Sequence, residues 1–330
     1  MGKTKLSVII PVYGVEPYIE RCARSLFEQT LDDIEYIFVD DCSPDHSIDI
    51  ILRIAGEYPK RLGQVRVIHH PKNMGLAIAR RSGMEAATGE YFIHCDSDDW
   101  LARDAYKLMY EEAKAKNADV VVCDYSISDG MGHTSTPEHA SCLHSDRISF
   151  IRDMLYQKVS WSIWNKMFRR SLLQEHTITY PIQPMGEDSA FTLQLTYYCN
   201  KIVHIDRSLY FYFLRPGSIV NNSSTESIIK KFHQACDNSH IVRKFYEQKG
   251  MGAQFKKALN SMDFSTKLLL LPLLGRKGNY RRIWNKAFPG LDCRIIIDPH
   301  CPRKIRIKCL MIRLHIYPGI TNKIHLTHCK

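Results

Sequence analysis

The chain lacks any long apolar run. Its longest candidate, LLLLPLL at 268–274 in 330 residues, falls well short of the roughly 18 residues that a membrane span needs. It also lacks a CxxC pair and any Cys/His cluster at zinc spacing, although eleven cysteines are present, so neither a structural zinc site nor dithiol redox chemistry is indicated. The amino-terminal apolar stretch is broken by Pro11 and is followed by no small-residue cleavage site. It reads as a first strand, and the scattered cysteines read as reduced, mostly buried thiols of a cytoplasmic protein. No GxxxxGK[ST] and no GxGxxG follows that strand, where PVYGVEPYI stands instead. Their absence argues against a P-loop nucleotide hydrolase and against a dinucleotide-dependent oxidoreductase. A shortage of apolar residues, the mark of disorder, is missing too: 45% of the chain is hydrophobic, enough for a sizeable core.

Charge is plentiful but unevenly placed. From Arg276 onward thirteen Lys and Arg face two acids, so the net charge of +10 resides in the carboxyl-terminal segment and the first 275 residues are close to neutral. A basic chain invites a nucleic-acid reading, yet no recognised nucleic-acid module is present and no nucleic-acid partner is expected. The segment PRKIRIKCLMIRLHIYPG, bounded by Pro302 and Pro318, has cations on two sides of a helical projection and is not a clean amphipathic surface helix. Clustered cations beside Ile, Leu and Met nevertheless suit anionic lipid headgroups. The expectation is peripheral attachment to the cytoplasmic face of a membrane, with an ordinary solvated basic face as the alternative.

The first 125 residues alternate between two periodicities. LSVIIPV (6–12), IEYIFVD (34–40), VRVIHH (65–70), YFIHC (91–95) and DVVVCDY (119–125) are short β-rich runs of the kind that fill a sheet buried on both faces. PYIERCARSLFEQ, GLAIARRSGMEAATG and RDAYKLMYEEAKAKNA between them carry apolar residues at helical spacing. Such a βαβ series predicts ligand binding outside the carboxyl ends of the strands. Two of those ends are acidic: Asp40 and Asp41 close the second run, and Asp96, Asp98 and Asp99 close the fourth. A lone Asp there serves equally as a turn former or helix cap. Three carboxylates within four positions repel one another, and a hard divalent cation, Mg²⁺ or Mn²⁺, held together with a substrate phosphate would relieve that cost.

In order and separation, LSVIIPVYGVEPYIERCARSLFEQT, IEYIFVDDCSPDHS, NMGLAIARRSGMEAATGEYFIHCDSDDWL, WNKMFRRSLL and GEDSAF resemble the family 2 glycosyltransferases of GT-A type. The likeness covers about Lys5 to Val220. It departs from the family at Cys42 and Pro44, where Gly or Asn and then Thr are usual. The resemblance implies an α/β fold: a GT-A type Rossmann-like, mostly parallel sheet flanked by helices, with a helical C-terminal extension. Residues 1–222 would form the glycosyltransferase domain and 223–330 a helical basic extension.

The resemblance also implies roles. Pro11, Val12, Tyr13 and Glu16 would line the nucleotide pocket, Asp41 with Asp40 would meet the base, and Gly75 and Arg80 would close that side. Asp96 would lie near the ribose and, with Asp98 and Asp99, on the metal. Glu187 and Asp188 precede an amphipathic helix, where acids also offset a helix dipole; by likeness to the family motif Asp188 is the catalytic base. Trp164, Asn165 and Lys166 are candidate sugar contacts, with a core tryptophan as the alternative. Arg215 and Ser218, in YFYFLRPGSIVNN (210–222), are candidate diphosphate contacts. The implied reaction is inverting transfer from a nucleotide-sugar donor, a UDP-sugar, to a hydroxyl of a glycan or lipid-linked acceptor. A non-catalytic domain of the same fold that binds a glycan or partner remains the rival reading.

Overall fold

The computed structural model describes residues 4–130, 134, 146–215, 224–276, 278–314 and 316. Its strands are β1 (Leu6–Val12), β2 (Ile34–Asp40), β3 (Val65–His69), β4 (Tyr91–His94), β5 (Trp100–Leu101), β6 (Val120–Ser128), β7 (Lys166–Arg169) and β8 (Ile202–Phe213). The helices of the sheet region are α1 (Glu16–Phe27), α2 (Ser47–Gly56), α3 (Pro59–Leu62), α4 (Leu76–Ala86), α5 (Ala105–Ala115), α6 (Arg147–Leu155), α7 (Ser171–Glu175) and α8 (Glu187–Tyr197). After them come α9 (Thr225–Gln248), α10 (Gly252–Leu268), α11 (Tyr280–Lys286), α12 (Leu291–Ile297) and α13 (Arg303–Arg313).

The eight strands form one sheet in the order β3-β2-β1-β4-β7-β6-β8-β5. β1, β2, β3 and β4 are mutually parallel, as their continuous apolar runs predict, and β6 pairs in parallel with β8. β7 is antiparallel to both neighbours, and β5 is antiparallel to β8. The sheet is therefore mixed on its second half. YFYFLRPGSIVNN (210–222) alternates as an edge strand does; its first residues end β8, which lies between β6 and the two-residue β5, and 216–222 are outside the described residues.

Helices cover both faces. α4 approaches β1 so closely that a Cβ at Gly83 would collide with Ile9. One apolar cluster joins β1, β2 and β4 to α1, α2 and α5 through Leu6, Ile19, Phe38, Ile51, Tyr91 and Tyr106. The other face joins Ile9, Phe92 and Phe168 to α6, α8, α9 and α10, with Phe191, Tyr246, Phe255 and Leu259 in contact. Of Ser224 and Thr225, both of a type that caps helices, Ser224 is the one that caps α9, accepting a hydrogen bond from the Ser227 amide. A third cluster around Phe232, Phe264, Trp284 and Ile295 is confined to the carboxyl-terminal helices. No helix of the described residues is long and apolar enough to cross a membrane.

Candidate active site

The strand order reverses between β1 and β4, and the crevice that opens there receives the loops after both strands. Pro11 helps to open it. β4 runs beside β1 only as far as Ile9, whose carbonyl takes the last bond, from the Cys95 amide. Two residues on, a proline donates nothing toward the gap and costs no ladder bond. Val12 is fully buried in the core, while Tyr13, 48% exposed, projects from the end of the strand.

The two loops on the β1 side are bolted together by a set of short side chains. Asp45 accepts from the Glu16 amide at the start of α1 and from the hydroxyls of Ser43 and Ser47. Ser43 and Ser47 in turn accept from the amides of Gly14 and Val15, and Glu16 accepts from the His46 amide. Burial pushes the Asp45 carboxyl up, but these bonds outweigh it and bring it down to about 2. This stabilisation is present above the unfolded value of 3.8 and is lost as pH falls through about 2. Asp45→Asn is expected to cost about 1 kcal/mol at neutral pH, as loss of a helix cap does. Its denaturant midpoint should converge with that of the parent chain near pH 2. Equal midpoints at neutral pH would show that the brace carries no stability.

Asp40 caps its own turn, accepting from the Ser43 amide and pairing with His69. Asp41 is buried, and its carboxylate accepts from the amides of Met74 and Gly75 and meets His70, whose other ring nitrogen reaches Ser82. Gly75 holds φ +91 at the start of α4, a conformation that only glycine adopts without strain. Asp41 thus fixes the loop that begins α4, with three partners on a group that accepts about four bonds.

After β4 the three clustered acids separate. Asp96 and Asp98 keep part of their surface open to the cleft, and each is paired: Asp96 with Arg80, Asp98 with Arg215 at 2.7 Å. Burial and then the charge of Asp96 push the Asp98 carboxyl up to about 6 despite Arg215. Asp99, grouped with them in the sequence reading, turns the other way. It is fully buried, accepting from the Tyr210 hydroxyl at 2.6 Å and the Phe213 amide at 2.7 Å. Tyr210 also accepts from the Asp96 amide, so the acidic loop is tied to β8 through one phenol. Arg21 donates to the Asp98 carbonyl and lies over Trp100 at 3.7 Å.

Arg80 links the two halves of the site. Its guanidinium is buried between Asp96 and Glu187, the first residue of α8. His94 is fully buried with no hydrogen-bond partner for either ring nitrogen among the described residues, and burial and then Arg80 push its pKa down. The histidine stays neutral, and Arg80 remains the cation between the carboxylates. Glu187 is therefore committed to an ion pair. Asp188 is not: it accepts from the Ser189 amide and keeps a partly accessible face in a surrounding of protein. Burial raises its pKa, with Arg80 and Lys166 pulling it down and Asp96 pushing it up.

Trp164, Asn165 and Lys166 lie in the interior. The ring of Trp164 stacks on Tyr210 and Tyr212 at centroid distances of 4.3 and 5.8 Å, and meets the edge of Tyr125. Its faces are occupied by tyrosines, which places it with the core. Asn165 and Lys166 are fully buried; the ammonium donates to the carbonyls of Ser160 and Ser162 and to Asn165. Those three bonds hold the ammonium in place and fix the turn into β7. Ser218 lies outside the described residues. The residues that sequence reasoning missed are Asp45, Ser43, Ser47, His70, Arg21 and Tyr210. All act across 12 or more residues, and local spacing carries no signal of such contacts.

Among the described residues no three His, Cys, Asp or Glu side chains form a cage for a metal. Asp96 and Asp98 still suit a hard divalent ion, because such ions take one or two carboxylates and complete their shell with water and substrate phosphate.

A profile of glycosyl transferase family 2 matches residues 7–177. Bacillus subtilis EpsH is 34% identical over 225 residues, 67% of this chain and 64% of the relative, so the match spans just under two thirds of that relative's length. The uncharacterized glycosyltransferase EpsJ of the same organism is 32% identical over 266 residues, 77% of this chain and 73% of the relative. Among solved structures, S. aureus TarS 1–349 in complex with UDP-GlcNAc has the same fold, with TM-score 0.59 at 19% identity over 94% of this chain and 92% of that one.

Proposed function

The chain belongs to glycosyl transferase family 2, and on that premise we propose that it transfers a hexosyl or N-acetylhexosaminyl group, with inversion, from a UDP-sugar to a hydroxyl of a glycan or lipid-linked acceptor. Synthesis of a surface polysaccharide, with the enzyme peripheral on the cytoplasmic face of the membrane, is the setting this reading implies. The observation that carries it is the division of labour among the acids. Asp96, Asp98 and Glu187 are each held in an ion pair with an arginine, while Asp188, partly accessible, makes none among the described residues.

In this reading the nucleotide enters beside Tyr13 and the loop fixed by Asp41, and its diphosphate meets the Asp96 and Asp98 side. Asp96 and Asp98 would hold Mg²⁺ or Mn²⁺, which would supply positive charge to the departing diphosphate. Arg215, beside Asp98, adds a cation to the same region. Asp188 takes the proton of the acceptor hydroxyl as its oxygen attacks the anomeric carbon. The new C–O bond forms opposite the one that breaks, and the nucleoside diphosphate leaves with the electron pair. Burial raises the Asp188 pKa, which strengthens it as a base once ionised.

The test is release of UDP from a panel of UDP-sugars, with and without hydroxyl acceptors, and the anomeric configuration of the product by NMR. Acceptor-dependent release with an inverted product is expected. The acid limb of kcat/KM should lie above the ordinary aspartate range, because activity is lost as pH falls through the raised pKa of the base. A retained configuration, or no turnover of any nucleotide sugar, would end the reading.

A further inference from the structure

α13 docks on its own lobe through one face only. Cys309 and Ile312 are buried there, in the cluster that contains Trp284 and Ile295. On the opposite face Arg303, Ile307, Leu310 and Leu314 follow at steps of four, three and four residues, which places them in one line along the helix. Ile307, Leu310 and Leu314 are 47%, 41% and 57% exposed. At 3.6 residues per turn, Lys304 and Lys308 fall on one flank of that line and Arg306 and Arg313 on the other. Arg306 donates to the carbonyl of Ile296, and Ile297, next in the chain at the end of α12, is 75% exposed. No acid occurs from Arg303 to Leu314.

The two rows of cations that spoil a simple amphipathic pattern are therefore the two borders of an exposed aliphatic stripe. A second copy of the chain would bring cation against cation, and a nucleic acid has no use for the aliphatic centre. A surface that is apolar within and anionic at its rim complements both features. We propose that α13 lies in the headgroup layer of an anionic bilayer, with Ile307, Leu310 and Leu314 turned into the acyl boundary and the flanking cations on lipid phosphates. This deepens the functional reading above and rests on it for its purpose, since it sets the enzyme where lipid-linked acceptors reside.

The experiment is sedimentation of the full chain with vesicles of phosphatidylcholine alone and with about a third phosphatidylglycerol. Binding to the second and not the first is expected, weakening as salt rises. Ile307→Ser/Leu310→Ser/Leu314→Ser should lower vesicle partitioning about tenfold or more, and Arg303→Glu/Lys304→Glu should do the same. Melting temperature and transfer to a water-soluble acceptor should stay unchanged in both variants. No vesicle binding, or binding that survives the triple serine variant, would overturn the proposal. So would a parent chain whose self-association, but not vesicle binding, the serine variant removes, or one that prefers RNA to vesicles. Vesicle binding is read without donor or turnover, so a chain that binds but transfers no sugar keeps this proposal and loses the functional reading.

Discussion

Asp188→Asn is expected to lower kcat by about 10² to 10⁴, the usual worth of a positioned general base, while the KM for the nucleotide sugar and the melting temperature change little. The fold argues for this separation. Among the described residues Asp188 makes no ion pair; one oxygen accepts from the Ser189 amide, and burial raises its pKa. An ionised carboxylate whose pKa is raised by burial opposes folding at neutral pH, so a neutral isostere should leave stability equal or slightly higher. Glu187→Gln should behave in the opposite way. It removes half of the buried pair with Arg80, so its first effect is on the melting temperature. Steady-state kinetics and thermal unfolding of the two variants side by side decide the assignment. A folded Asp188→Asn enzyme with parental turnover would remove Asp188 as the base.

The first half of the fold is legible in the sequence because its strands are buried on both sides. A run such as LSVIIPV has no polar face to confuse the period, and all seven residues are buried. β5, β7 and β8 are harder to read for physical reasons. β5 has two residues, and β7 begins with Lys166, a charge that belongs inside only because three acceptors wait for it. β8 is half-buried over much of its length, so it lacks the continuous apolar run that marks the first strands.

The site shows the same division. Acids at strand ends are visible in the chain, but their directions are not. Asp96, Asp98 and Asp99 are indistinguishable by spacing, and only Tyr210 and the Phe213 amide, more than a hundred residues away, turn Asp99 into the core. Trp164 reads as sugar platform or, more readily, as core residue, and Tyr210 and Tyr212 stacked against it decide for the core. Asp45 lies within the stretch IEYIFVDDCSPDHS but is given no role by it, yet it holds the start of α1 against the loop before α2. Long-range partners decide each of these, and a single sequence does not pair residues across the chain.

Arg80→Met should be the most destabilising change in the site. The guanidinium is 5% exposed, between Glu187 at 6% and Asp96 at 25%. Removing it leaves a buried carboxylate without a counter-charge, a loss of about 3–5 kcal/mol. Against a total stability on the order of 5–15 kcal/mol, that fraction is large. The melting temperature should fall by on the order of 10 °C. Arg80→Lys should recover only part, because one ammonium cannot reproduce the two-pronged contact. The double variant Arg80→Met/Glu187→Met separates stability from chemistry. Replacing both partners of a buried ion pair by apolar side chains is often neutral, so its melting temperature should return toward that of the parent. Transfer should not return with it, since Asp96 would still lack the cation that orients it and Asp188 would sit at the start of a helix no longer tied to the acidic loop. A single Arg80→Met variant that melts and turns over like the parent would show that the bridge carries neither load. A double variant that regains full activity would confine Arg80 to a structural role.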